Sequence, residues 1–142
     1  MTDALEAAFL ATRYRVRLGN GRRADIRIGA PLPPSLLATL ATPDAAWAFV
    51  TAWNPLSQTQ PATVNRARQH QLLSALRQHF PHAHIRVGVG VGPPVNPWRE
   101  MSLFVQPVEW NALDRLMQPF RQWAIVRGTG PEPAQLHWYV RP

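Results

Sequence analysis

Apolar and polar residues alternate with period two in three stretches of the chain. Tyr14-Arg15-Val16-Arg17-Leu18 and Ala24-Asp25-Ile26-Arg27-Ile28 flank the turn-forming Gly19-Asn20-Gly21, which predicts a β-hairpin. His84 to Val91 alternates again, with Ile85, Val87, Val89 and Val91 on one face and Arg86, Gly88 and Gly90 on the other. Trp47 to Trp53 is apolar on both faces, as expected of a central strand covered on two sides. Shorter branched or aromatic runs predict strands at Met101 to Val105, Trp123 to Arg127 and Leu136 to Val140.

Helical spacing occupies the segments between. Val64, Ala67, Leu72, Leu73, Leu76 and Phe80 form a stripe near the 3.6-residue period, and Pro81 stops the helix. Trp110, Leu113, Met117 and Phe120 predict a second helix, with Pro107 suited to its first position. Asp3 to Ala11 reads as an N-terminal helix capped by Thr2, and Ser35 to Leu40 as a short helix capped by Ser35. From Trp47 onward the order is βαββαβ plus a last strand. The expectation is therefore an α+β single domain over residues 1–142: a two-layer sandwich of a mainly antiparallel sheet with a ferredoxin-like βαββαβ core. The core occupies residues 44–142, with two main helices on one face and an extra C-terminal strand. The helix and hairpin of residues 1–30 would extend the sheet or cover its other face.

Composition narrows the class. Hydrophobic residues make up 46% and charged residues 16%, so the chain is globular rather than disordered. No apolar run approaches the roughly 18 residues of a membrane span. Asp3 and Glu6, without a basic leader, argue against a signal peptide. The absence of cysteine excludes disulfides and thiol catalysis and fits a cytoplasmic protein. All 15 basic residues are arginine and the formal charge is +7. Without lysine there is no Schiff-base chemistry and no Walker-type phosphate lysine. An arginine-rich, proline-rich and alanine-rich chain fits GC-rich coding as well as an anionic partner.

Candidate chemistry gathers at the strand-to-helix corner after Trp53. Asn54, Ser57, Asn65 and Arg68 could hold a polar or anionic ligand, with Arg68 as the fork for a carboxylate or phosphate. The same groups would also serve to brace the turn. Trp98 stands in a proline-rich loop, where its ring could stack on a ligand. Glu100 is the one acid between Asp44 and Glu109; it either pairs with an arginine such as Arg68 or acts as a general base. His79, His82 and His84 have a spacing that zinc tolerates, but no fourth ligand is near in sequence, so no metal and no cofactor is expected. Gly88, Gly90 and Gly92 precede no helix and carry no following Lys-Ser, so they fit close approach of a ring better than a phosphate loop. Arg15, Arg17, Arg22, Arg23 and Arg27 are the densest basic patch, either a solvated sheet face or a nucleic-acid surface.

Several segments together resemble an uncharacterised bacterial family, domain of unknown function 3293. They are AFLATRYRV at the start, FVTAWNPLSQ, VNRARQHQLLSAL with Asn65 and Arg68, PWREMSLFV with Trp98, Glu100 and Ser102, and FRQWAIVRG with Phe120, Gln122 and Ala124. Val64 stands where that family usually has an acid, and the Gly92-Pro93-Pro94 loop lacks another. The resemblance implies no activity. Added to the residues, it extends the candidate pocket to Asn54, Ser57, Asn65, Arg68, Trp98, Glu100 and Gln122. The preferred expectation is a small cytoplasmic, non-membrane binding module for a polar or anionic ligand. One alternative is a nucleic-acid binder using the hairpin arginines, and another is an enzyme using Glu100 and Arg68.

Overall fold

The computed structural model describes residues 2–95 and 97–142, with side chains from residue 4 onward. The expected Thr2 cap, the Asp3 charge and Asn96 in the proline-rich loop lie outside what is described. Seven strands form one antiparallel sheet, and four α-helices pack on it. The strands are β1 (Arg13–Arg17), β2 (Arg23–Ile26), β3 (Ala46–Val50), β4 (His84–Val91), β5 (Arg99–Gln106), β6 (Ala124–Thr129) and β7 (Gln135–Trp138). Their order across the sheet is β2-β1-β4-β5-β3-β6-β7. The hairpin therefore extends one edge and the last strand the other. The helices are α1 (Thr2–Ala11), α2 (Pro34–Leu37), α3 (Ala62–His79) and α4 (Trp110–Met117). Among the described residues, no helix is long and apolar enough to cross a membrane.

The two-layer expectation is incomplete, because helices lie on both faces. On one face α3 and α4 bury Leu72, Leu76, Leu113 and Met117 against Ala48, Val50, Leu103 and Val105. On the other face the sheet curls, bringing Val16, Leu18 and Ile26 of the hairpin region into one core with Trp47, Phe49, Phe104 and Val126; Leu36 of α2 closes it. Alternation explains the double core: β3 is buried at Trp47, Ala48, Phe49 and Val50 alike.

The curl sets which face of β4 is inside. The glycine face is buried, whereas Val87 on the opposite face is 54% exposed and Met101, paired with Val89 on that same face, is 45% exposed. Phe49 accounts for this: a Cβ on Gly88 would sit 2.8 Å from its ring and 2.9 Å from the Arg15 carbonyl. Only glycine lets the ring come this close to the strand.

Two expected helix starts are corrected. Pro34 begins α2, after Pro33 and without a side-chain cap, so Ser35 is not the cap; proline's fixed φ suits that first turn. Pro107 does not begin α4. Glu109 caps it, its carboxylate accepting from the N–H groups of Asn111 and Ala112.

Candidate functional site

β3 loses its ladder partners after Val50, so the backbone of Thr51–Asn54 needs other ones. Side chains of α3 supply them. Gln69 Oε1 accepts from Ala52 N at 2.9 Å, Arg68 Nε donates to Ala52 O at 3.4 Å, and Asn65 Oδ1 accepts from Asn54 N at 2.9 Å. Asn65 Nδ2 also donates to Asn54 Oδ1 at 2.7 Å, and that oxygen takes a second bond from Gln60 N at 3.1 Å. Asn65 is only 2% exposed. The corner itself is sharply wound: Asn54, Leu56 and Ser57 have φ of 43°, 49° and 60°. Positive φ is uncommon outside glycine and asparagine, and costly for a side chain such as leucine.

The corner is tied in turn to the loop between α4 and β6. Leu56 N donates to Arg121 O at 2.8 Å, and Arg68 Nη2 donates to Phe120 O at 2.9 Å and Pro119 O at 3.4 Å. Gln122 Nε2 reaches back to Trp53 O at 3.1 Å. Arg68 is thus spent on carbonyl groups. The expected pairing of Arg68 with Glu100 is corrected: among the described residues the ion pairs join Arg15 to Asp25 and Arg127 to Asp114, and the His137 imidazole, which burial holds below its ordinary value, stands 3.8 Å from the same Asp114 carboxylate. Bare carbonyls at the end of a strand compete for the guanidinium, and chain order alone hides them.

On the curled face, next to the aromatic core, lies a cavity of about 310 Å³. Five of the seven expected residues line it: Asn54 and Ser57 from the corner, Trp98 and Glu100 from the start of β5, and Gln122 from the loop before β6. Asn65 and Arg68 do not; they stand behind the corner and hold it. Register explains the floor. Gly90 lies opposite both Glu100 on β5 and Tyr14 on β1, so the carboxyl and the phenol flank a position without a side chain. That gap admits the Trp98 ring, 3.4 Å from where a Gly90 Cβ would be, and Thr12. Gly92 N bonds to Trp98 O at 2.9 Å and closes the loop that brings the ring in.

α1 forms the lid. Leu5, Ala8 and Phe9 line the cavity, and Phe9 stacks edge-on against Trp138 of β7 at 5.6 Å, so α1 bridges from β1 to the far edge of the sheet. Phe9, Thr12, Tyr14 and Thr51 were not among the expected site residues. Phe9, Thr12 and Tyr14 come from one N-terminal segment far in sequence from the corner, which the curl brings over the cavity, whereas Thr51 lies three residues before Asn54.

Among the residues lining the cavity, Glu100 and Tyr14 can titrate, and none is arginine or histidine. Burial pushes the Glu100 carboxyl up to about 7. Burial also raises the Tyr14 phenol well above its ordinary range.

The other sequence candidates fall elsewhere. Arg15 is engaged by Asp25, with Nε–Oδ1 at 2.9 Å and Nη2–Oδ2 at 3.3 Å, and the pair holds the Asp25 carboxyl below its ordinary value. Arg17, Arg22, Arg23 and Arg27 are exposed. Arg15, Arg17, Arg22 and Arg23 line a shallow groove on the outer sheet face together with Val87, Arg99 and Met101. His79, His82 and His84 are exposed, and among the described residues no group of three His, Asp or Glu side chains is placed to hold a metal ion.

No curated protein and no solved structure matches the chain. A family model described as protein of unknown function (DUF3293) matches residues 50–125, more than half of the chain. That span holds the corner, α3, Trp98, Glu100 and Gln122, while α1 and β1 lie outside it. The chain belongs to the DUF3293 family of proteins of unknown function.

Proposed function

We propose that this protein is a small-molecule-binding module whose site is the cavity under α1. The observation that carries this is convergence. Three segments separated by 20 or more residues deliver Asn54 and Ser57, Trp98 and Glu100, and Gln122 to one concavity. Its volume of about 310 Å³ lies at the lower end for ligand pockets. A polar ligand suits the hydroxyl, amide and carboxyl groups there. The anionic part of the expectation is without support, since no cationic side chain lines the cavity. A cytoplasmic setting suits a chain without cysteine. On the same view, β3 to β6 with α3 and α4 is a ferredoxin-like unit. In its favour are the neighbour order β4-β5-β3-β6 and the packing of both helices on one face.

The test is thermal unfolding against a panel of small polar metabolites. At least one should raise the midpoint, and Trp98→Ala should reduce that rise. A panel without effect, or a rise unchanged in Trp98→Ala, refutes the assignment.

A second role is favoured by a separate observation, the arginine-lined groove of about 780 Å³ on the outer sheet face. Nucleic acid would meet Arg17, Arg22 and Arg23 there, and Arg27 on the same hairpin, with Arg15 contributing less because Asp25 neutralises it. Retention of labelled oligonucleotides should then fall steeply with salt and be lost in Arg17→Glu/Arg23→Glu. Retention that ignores salt counts against it.

A further inference from the structure

The hydrogen-bonding groups of the cavity around Glu100 lean toward acceptors. Four hydroxyls facing it have already donated their protons to backbone carbonyls. Thr12 donates to Ala8 O at 2.7 Å, Tyr14 to Phe9 O at 2.8 Å, Thr51 to Met101 O at 2.6 Å and Ser102 to Glu100 O at 3.0 Å. What they leave toward the cavity is lone pairs, although Thr51 Oγ1 already accepts from Trp53 N at 3.0 Å. Gln122 has likewise committed its amide protons to Trp53 O and Phe120 O, leaving its oxygen free. The Glu100 carboxyl has no ion pair and no side-chain hydrogen bond among the described residues. Donors remain at the corner end, in the Asn54 amide and the Ser57 hydroxyl, and in the indole N–H groups of Trp98 and Trp123, which make no hydrogen bond among the described residues. The walls between are aromatic: Phe9, Tyr14, Phe49 and Trp98. Ring faces attract cations, and more so where water is excluded.

We propose that the cavity takes a small organic cation, a primary ammonium or amidinium group on a partly apolar body, with the charge seated against Glu100 and the body between the rings. This rests on the cavity being the binding site. A cation supplies protons to the acceptors around Glu100 and the counter-charge that Glu100 lacks. An anion would meet lone pairs and a carboxylate.

Proton release follows. The carboxyl, raised to about 7 by burial, is partly protonated at neutral pH and must ionise as the cation arrives. Tyr14 is the titratable group facing Glu100 from β1, and no charged side chain lines the cavity from α1, β3, β4 or β6. Binding should therefore tighten as pH rises from about 6 to 8, with Glu100 as the group responsible.

Calorimetry with four probes of one shape tests this: benzylamine and benzamidine as cations, benzyl alcohol as the neutral form and benzoate as the anion. The cations should bind at least ten-fold more tightly than benzyl alcohol or benzoate at pH 8. They should release protons at pH 7, seen as a dependence on buffer ionisation heat. Glu100→Gln, which matches the protonated carboxyl in shape, should keep benzyl alcohol binding and lose the cation preference and the proton release. If benzoate or benzyl alcohol binds as tightly as the cations, or Glu100→Gln keeps the preference, the cation assignment is overturned while the cavity remains a site. If no probe binds and the metabolite panel also has no effect, both fall together.

Discussion

Two polar regions lie within one loop of each other and are built in opposite ways. Behind the corner, Asn65 has donors and acceptors engaged by Asn54 and Gln60, and Arg68 is shared among the carbonyls of Ala52, Pro119 and Phe120. In front of it, Glu100 sits in a cavity with no side-chain partner among the described residues, and the hydroxyls around it have turned their protons away. A buried polar group whose bonds are all made holds the fold together. One whose bonds are unmade costs stability, and a site for a ligand is a reason for such a cost to persist. Residue type does not separate the two cases, because an arginine serves here as a brace and a lone acid faces the hollow.

The sharpest break of this contrast is Asn65→Ala. It strands the Asn54 N–H and removes bonds from a residue that is 2% exposed. A loss of about 3 to 4 kcal/mol in urea unfolding is expected, from the desolvation cost of unpaired buried groups plus the bonds themselves. A loss below about 1 kcal/mol would mean that the corner does not need its brace.

Glu100→Gln should act in the opposite direction. The folded-state carboxyl lies above its unfolded value, so the folded protein binds the proton more tightly. This group's contribution to stability is then greatest at low pH and is lost as pH rises from about 4.5 through about 7. Glutamine cannot ionise. At pH 8 the variant should be more stable than the parent by about 2 to 3 kcal/mol, and at pH 4 the two should agree. Urea midpoints at the two pH values check this. A constant difference across pH would show that the carboxyl is not desolvated.

Much of this arrangement could be read from the chain, and the part that could not has a common cause. Period-two and helical spacing located β1, β4 and α3 to within a few residues, because burial of one face is a local pattern. The same spacing could not say that the glycine side of β4 lies inside. That depends on Phe49 crossing Gly88, a contact between strands that are not neighbours in the sheet. Asn54, Ser57, Trp98, Glu100 and Gln122 could be named from residue type and family resemblance, since amides, an indole and an isolated acid stand out in an apolar chain. Arg68 drew a ligand role because a guanidinium is a fork for a carboxylate or phosphate, while the carbonyls that occupy it are present in every residue and leave no mark in the sequence. The lid residue Phe9 reads as ordinary helix, and Thr12 falls between the helix and the hairpin with no role read for it. Their role depends on the curl that brings α1 across to Trp138.

Arg68→Met sharpens the brace side with a smaller effect. Methionine keeps much of the aliphatic stem and loses the guanidinium bonds to Phe120, Pro119 and Ala52. The group is partly exposed, so water replaces part of what is lost, and a loss of about 1 to 2 kcal/mol is expected. Binding of any ligand in the cavity should change little, as Arg68 does not line it. An affinity loss of ten-fold or more with stability unchanged would return Arg68 to the site.

The smallest effect lies at Ser57, where brace and cavity meet. Its φ of 60° is left-handed, and its side chain is exposed at the rim of the cavity. Serine in that conformation costs on the order of 1 kcal/mol, and glycine removes the cost while adding freedom to the unfolded chain. Ser57→Gly should therefore change stability by no more than about 0.5 kcal/mol, in the stabilising direction. Its ligand effect separates the two regions. If the Ser57 hydroxyl is one of the donors at the corner end, Ser57→Gly lowers affinity for a probe with a hydrogen-bond acceptor opposite its ammonium group, 4-(aminomethyl)benzamide, and leaves benzylamine unaffected. An equal drop for both probes would show that the loop's shape, and not the hydroxyl, is what the cavity uses.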